Sequence, residues 1–363
     1  MIVSDDVQQS ESEDCIMYAV CICGHFGFDQ SLLNGQTIKT KIVYQYLAEQ
    51  LGEDNILVLD THGGLRHVPR IIVQLFRALI LCKNIVMLPA QNGVRVISPV
   101  LYLMNIFFKR KSHYVVIGGW LPEFIQGKSA LKHILRSFDA IYVETNEMKH
   151  KLEKQGFSNI VVMPNCKSLC PIRPEELSPE HIKPYRVCTF SRVMKEKGIE
   201  DAVNGVKMIN ERLNCTAFRL DIYGQIDVRQ IEWFETLQKK FPEYISYKGV
   251  ASFEESVEIL KEYSALLFPT YYDGEGFAGT ILDAFAAGVP VIATSWKYNE
   301  ELIREDYTGK LIPPKDPVAL AEALWGLYTS LDHWEQLRIN CCQEAKNFLP
   351  DSVLKTLLIN LRQ

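Results

Sequence analysis

Two carboxylates, Glu275 and Asp283, stand eight positions apart in the stretch Gly274-Glu275-Gly276-Phe277-Ala278-Gly279-Thr280-Ile281-Leu282-Asp283, where a loop gives way to an apolar run of helical character. The apolar segment Ala265–Phe268 ahead of them reads as a buried strand, and Gly274 and Gly276 loosen the backbone before the helix. A helix beginning near Gly276–Gly279 offers free N–H groups and the positive end of its dipole, which together favour a phosphate. At the helical rise of about 1.5 Å per residue the two acids lie roughly 9–12 Å apart. That is too far for a close pair acting on one bond, but suited to straddling a diphosphate, with sugar hydroxyls at Glu275 and ribose hydroxyls at Asp283. On spacing alone, an exposed loop acid and a solvated helix acid explain the pair equally well.

A second strand-to-helix turn carries the opposite charge. Ser191-Arg192-Val193-Met194-Lys195-Glu196-Lys197-Gly198 follows the apolar run Val187–Phe190 and opens a helix from Ile199. Arg192 and Lys197 therefore sit beyond a strand's carboxyl end, where open parallel sheets bind their ligands. Two cations there can clamp a diphosphate, although a lone basic turn is more often a solvated surface feature.

These blocks resemble the retaining, nucleotide-sugar-dependent GT-B glycosyltransferases of family four. Ser191 to Gly198 is similar to that family's Gly-Arg-Leu-x-x-x-Lys-Gly turn, and Glu275 to Asp283 to its E-x7-E element. Asn34-Gly35-Gln36-Thr37-Ile38-Lys39-Thr40 resembles the N-terminal turn of a subgroup associated with bacterial surface polysaccharide synthesis. The likeness runs over about residues 16–330 and is strongest between 186 and 314.

The resemblance implies an α/β GT-B fold, two Rossmann-like domains facing a central cleft. It implies Arg192, Lys197 and Glu275 as catalytic residues, with Gly35, Gln36, Gly276, Phe277, Ala278, Gly279 and Asp283 binding the donor. As the glycosidic C–O bond breaks, Arg192, Lys197 and the helix N-terminus would stabilise the leaving diphosphate while Glu275 orients the sugar. Front-face attack with retention is implied, with neither a metal nor a cofactor beyond the nucleotide-sugar co-substrate. No Asp-x-Asp pair occurs to hold a divalent ion beside a diphosphate. Two positions depart from the family pattern: Asp283 is one methylene shorter than the usual Glu, and Ser191 replaces Gly. For the acceptor side, Gln91, Asn92 and Trp120 are the candidates. His113, at the other end of the strand preceding Trp120, reads as structural more readily than as a substrate contact.

Apolar strand-like runs alternate with amphipathic ones along the chain, the sequence form of a parallel α/β sheet. Strands are expected at 16–23, 55–59, 84–88, 114–117, 140–143 and 160–163, then at 186–190, 218–222, 245–247, 265–268, 289–293 and 309–312. At 363 residues, with 47% hydrophobic and 23% charged content, two globular domains are expected. The expected organisation is a disordered acidic tail at 1–14, an acceptor domain at 15–165, a proline-rich linker at 166–185, a donor domain at 186–330, and C-terminal helices at 331–363 returning to the first domain. No P-loop is present. The ten cysteines show no zinc spacing and read as buried free thiols in a reducing cytoplasm.

From Thr61 to Pro122 there is no Asp or Glu, and two apolar helices are expected there, at 68–81 and 94–108, the second running into Phe107-Phe108-Lys109-Arg110-Lys111. Basic and apolar surface together suits an anionic membrane and a lipid-linked glycan acceptor, although core helices with solvated ends would look the same. A net charge of -5 and the lack of a nucleic-acid module argue against nucleic acid. The expected function is hexosyl or related transfer from a nucleoside-diphosphate sugar to an acceptor hydroxyl, in capsule, O-antigen or exopolysaccharide synthesis. Two other classes stay open: a non-catalytic GT-B scaffold that binds nucleotide or glycan, and an epimerase-like GT-B enzyme acting on UDP-N-acetylglucosamine.

Overall fold

Parallel strands covered on both faces favour apolar runs, and among the described residues twelve strands, most of them apolar, assemble into two six-stranded sheets. The computed structural model describes residues 18–27, 35–62, 68–177, 183–252 and 255–363. The expected acidic tail at 1–14, together with Asn34, Arg66 and Pro179, lies outside the described residues.

The first sheet comprises β1 (Tyr18–Gly24), β2 (Ile56–Asp60), β3 (Cys82–Met87), β4 (Lys111–Val115), β5 (Ala140–Val143) and β6 (Ile160–Val162), in the order β2-β1-β3-β4-β5-β6. The second comprises β7 (Tyr185–Phe190), β8 (Phe218–Tyr223), β9 (Ile245–Gly249), β10 (Ala265–Phe268), β11 (Val291–Thr294) and β12 (Gly309–Ile312), in the order β12-β11-β10-β7-β8-β9. All pairings are parallel. β5, β10 and β11 are buried along their whole length, which is why their sequences show no polar alternation.

The chain divides into two compact units, the first ending at Met163 and regaining Leu354–Gln363, the second spanning Pro164–Val353. In the first unit, helices α1 (Gly35–Leu51), α2 (Val68–Leu81) and α3 (Gln91–Phe108) connect the early strands. The returning C-terminal helix Lys355–Arg362 is held there by polar caps: Asn84 Nδ2 donates to Leu361 O at 3.1 Å, and Asn360 Nδ2 to Tyr142 Oη at 2.8 Å. Only residues from 354 onward return; the helix Leu331–Ala345 stays with the second unit.

Three expectations need correction. β4 starts at Lys111, not Tyr114, because Lys111, Ser112 and His113 pair with Asn84, Ile85 and Val86 and the ladder shelters polar residues that read as loop. His113 is thus inside the sheet, with Nδ1 3.3 Å from Tyr142 Oη, and burial lowers its pKa to about 4. The proline-rich stretch expected as a linker packs into the second unit up to residue 177, where Lys167 N donates to Phe348 O and Ile172 N to Ala286 O. Prolines keep the stretch out of α-helix, leaving a 3-10 turn at Pro174–Glu176, without preventing backbone contacts with the rest of the second unit. The nine described cysteines are free, but Cys170 and Cys215 are exposed, so burial does not hold for all of them.

Candidate functional site

The basic turn after β7 is built by close backbone approach. Gly198 has φ +69°, and a Cβ there would fall 2.0 Å from Pro269 O; Gly224 has φ +134°, and its Cβ would fall 1.8 Å from Ser191 O. Only glycine lets the exits of β7, β8 and β10 converge so tightly. Tyr271 N donates to Glu196 O at 2.8 Å, and Val193 N to Gln225 O at 2.9 Å, locking Ser191–Gly198 between its neighbours. The helix Ile199–Leu213 then begins where expected.

Lys197 and Glu275 meet as an ion pair with Nζ to Oε2 at 2.6 Å, and Thr270 Oγ1 donates to the same oxygen at 2.6 Å. Both side chains are nearly buried, 13% and 9% exposed, so the contact is worth more than a surface bridge. Arg192 is different: its side chain is 60% exposed, and its Nη1 lies 3.7 Å from Asp227 Oδ2. Asp227 is chiefly held by Arg229, whose Nε and Nη2 each donate at 3.0 Å, and this pairing lowers the carboxyl's pKa to about 2. Arg192 is therefore loosely tethered and can turn towards an anion.

These groups surround a pocket of about 300 Å³ lined by Ser191, Arg192, Lys197, Glu275, Gly279 and Thr280, among others. The helix Gly279–Ala286 starts at its wall, with Ala278 at the N-cap making no side-chain cap bond. Among the described residues Thr280 Oγ1, which lines the pocket, is buried without a hydrogen-bond partner. Sequence reasoning singled out Arg192, Lys197, Glu275, Ala278 and Gly279 at this pocket but missed Thr280, Thr270 and Asp227.

The rest of the Gly276–Asp283 set lies differently. Phe277 turns into the core against Phe348, ring centroids 5.5 Å apart, and its carbonyl accepts from Asn165 Nδ2 at 3.3 Å. Gly276 is partly buried beside it in the loop. Asp283 is 4% exposed and ion-paired with Lys167, Nζ to Oδ1 at 2.5 Å. Burial raises the Asp283 pKa, against the pull of Lys167 and Ser256, and burial lowers the Lys167 pKa. Asp283 thus has a protein cation as its partner here, a role the sequence reading did not foresee, because Lys167 lies in the stretch read as linker.

In the first unit, Gln36, Gln91, Asn92 and Trp120 line one cavity of about 930 Å³. Gly35 is the exposed first residue of α1, and Gln36 Nε2 reaches Leu88 O at 3.5 Å. Lys39 of the same turn is buried, 3.9 Å from Glu144. Among the described residues no group of three His, Cys, Asp or Glu side chains is placed to hold a metal ion.

Residues 184–330, within the second unit, match the model of the family described as glycosyl transferases group 1. The chain is 28% identical over 193 residues to the GtfA subunit of UDP-N-acetylglucosamine--peptide N-acetylglucosaminyltransferase from Streptococcus agalactiae, covering 50% of this chain and 36% of that protein. It is 26% identical over 146 residues to the amylovoran biosynthesis glycosyltransferase AmsK of Erwinia amylovora, covering 39% of this chain and 35% of that protein. The match thus spans about a third of the length of each of these curated relatives. The fold is that of GT-B glycosyltransferases: HepE of Anabaena, solved in complex with UDP and glucose, superposes with a TM-score of 0.70 at 14% identity over 95% of this chain and 99% of that one.

The buried Lys167–Asp283 pair generates a prediction. Lys167→Met should destabilise the protein by about 3–5 kcal/mol, since it removes the cation beside a buried carboxylate, and adding Asp283→Leu should restore most of that loss. Urea unfolding checks this. Equal midpoints for wild type and Lys167→Met would show that the pair carries no stability.

Proposed function

We propose that this protein is a retaining glycosyltransferase that moves a hexosyl or related sugar from a nucleoside-diphosphate donor to an acceptor hydroxyl in surface polysaccharide synthesis. One observation carries this reading. Arg192, Lys197, the start of the helix Gly279–Ala286 and the Thr280 hydroxyl converge on one pocket of the second unit. Such a set can hold a diphosphate and stabilise the charge that grows on it as the glycosidic bond breaks.

Arg192 supplies a mobile cation and Lys197 a fixed one. Glu275 holds Lys197 in place through Oε2 and orients the donor sugar. With cations supplied by side chains, transfer needs no divalent metal. A UDP donor is supported by HepE, which was solved with UDP, and a surface-glycan setting by the similarity to AmsK. The donor and a glycan or lipid-linked glycan acceptor are thus the partners, and the cytoplasm the compartment.

Peripheral contact with an anionic membrane belongs to the same reading. On α2 and α3, Val73, Phe76, Leu103 and Phe107 are exposed, the last by 84%, in a segment without acidic residues. The exposed Arg70, Arg77, Lys83 and Lys109 provide the charge complementarity. Arg110 is not free for this, because its Nε donates to Leu79 O at 2.9 Å, and Lys111 belongs to β4.

The transfer reading is tested by screening UDP-sugars by mass spectrometry in the presence of EDTA. Arg192→Ala should lower kcat by about two to three orders of magnitude. Its thermal unfolding should stay near wild type, since its one ion pair is long and exposed. Lys197→Ala should lose as much activity and also some stability, because it strands Glu275. Near-normal turnover by both variants, or loss of all activity in EDTA with recovery on adding magnesium, would refute the mechanism.

For the membrane contact, cosedimentation with anionic liposomes should exceed that with neutral ones and weaken with salt. Phe107→Asp combined with Lys109→Gln should reduce it. Equal sedimentation of wild type and variant with both liposome types would refute the contact.

A further inference from the structure

The 930 Å³ cavity of the first unit is three times the volume of the pocket beside Lys197, and its walls have a different chemistry. One side is aliphatic: α2 contributes Ile72 and Leu75, and α3 contributes Val96 and Val100. The polar residues gather at the carboxyl ends of the central strands, with His25 just past β1, Thr61 just past β2, and Gln91 and Asn92 in the first turn of α3 beyond β3. In an open parallel sheet those strand ends are where polar ligand groups are received. Arg95 carries the charge at the rim, its guanidinium 4.6 Å from the Phe124 ring centroid, and among the described residues no acid lines the cavity.

We infer that this cavity holds the hydrocarbon chain of an anionic amphiphile, the acceptor of the proposed transfer, with the chain between α2 and α3 and the anionic head near Arg95. The volume lies at the upper end of the roughly 300–1,000 Å³ typical of sites that bury most of a ligand. A sugar acceptor without a tail would leave this aliphatic wall wetted, whereas a chain covers it. The charge pattern agrees, because an anionic head meets the Arg95 guanidinium at a rim whose described lining includes no acid. The exposed Phe76, Leu103 and Phe107 belong to the same two helices, and Phe76 packs edge-on against Phe108 of α3 at 5.6 Å, so apolar surface extends along the helix pair beyond the cavity. The word acceptor rests on the transferase reading; the occupant's chemistry does not.

The experiment uses n-alkyl phosphates from butyl to dodecyl, each below its micellar concentration, titrated calorimetrically into the full chain. Affinity should rise about three- to fourfold per added methylene and level off when the cavity is filled. Val96→Phe, which occupies the space, and Val96→Asn, which makes its wall polar at nearly constant size, should each flatten that dependence, while Arg95→Gln should weaken every member alike. Circular dichroism confirms that each variant is folded, and either Val96 variant suffices if the other fails to fold. A series with no chain-length dependence, or one unchanged in the folded Val96 variant, overturns the inference. Sugar transfer measured in parallel separates the two failures: transfer with a flat alkyl series removes only the apolar site, and a steep series without transfer removes only the transferase reading.

Discussion

The pocket of the second unit is organised by the ion pair between Lys197 and Glu275. It joins two segments 78 positions apart in the chain, the turn after β7 and the loop after β10, and Thr270 fixes it from the strand exit. Two half-exposed charges would contribute little, but in this nearly buried setting the pair sets the position of both groups. Gly198 and Gly224 make the pairing possible, since any side chain at either would push the strand exits apart. The strain-free backbone and the ion pair are therefore one device, and the pocket is its by-product.

A pocket made this way needs its charges to be unequal in freedom. Lys197 is committed to Glu275, and Arg192 is held only by a 3.7 Å contact to an aspartate already satisfied by Arg229. A diphosphate can recruit Arg192 with little loss, because Asp227 keeps its main partner. Thr280, whose buried hydroxyl has no partner among the described residues, would complete the oxygen-binding set of the proposed reading.

The architecture was legible because parallel strands carry no polar face: every one of the expected apolar runs became a strand. The misjudged edges share a cause. At Lys111–His113 the ladder hides polar side chains that local sequence marks as loop, and at 164–177 prolines stop an α-helix without preventing contacts with the second unit. The grouping at the candidate pocket was legible where charge and turn coincide in a short motif, as at Arg192, Lys197 and Glu275. They were not where the partner is distant: Lys167 lies 116 positions from Asp283, and nothing in either neighbourhood announces the pair. Asp227 and Thr280 were missed for the opposite reason, being ordinary residues given meaning only by what surrounds them.

The donor-binding claim is tested most directly by the crystal structure of the protein with UDP bound. A β-phosphate oxygen is expected within about 3 Å of Lys197 Nζ, with Arg192 turned from Asp227 towards the diphosphate. A diphosphate seated away from both cations, with Arg192 still at Asp227, would contradict it.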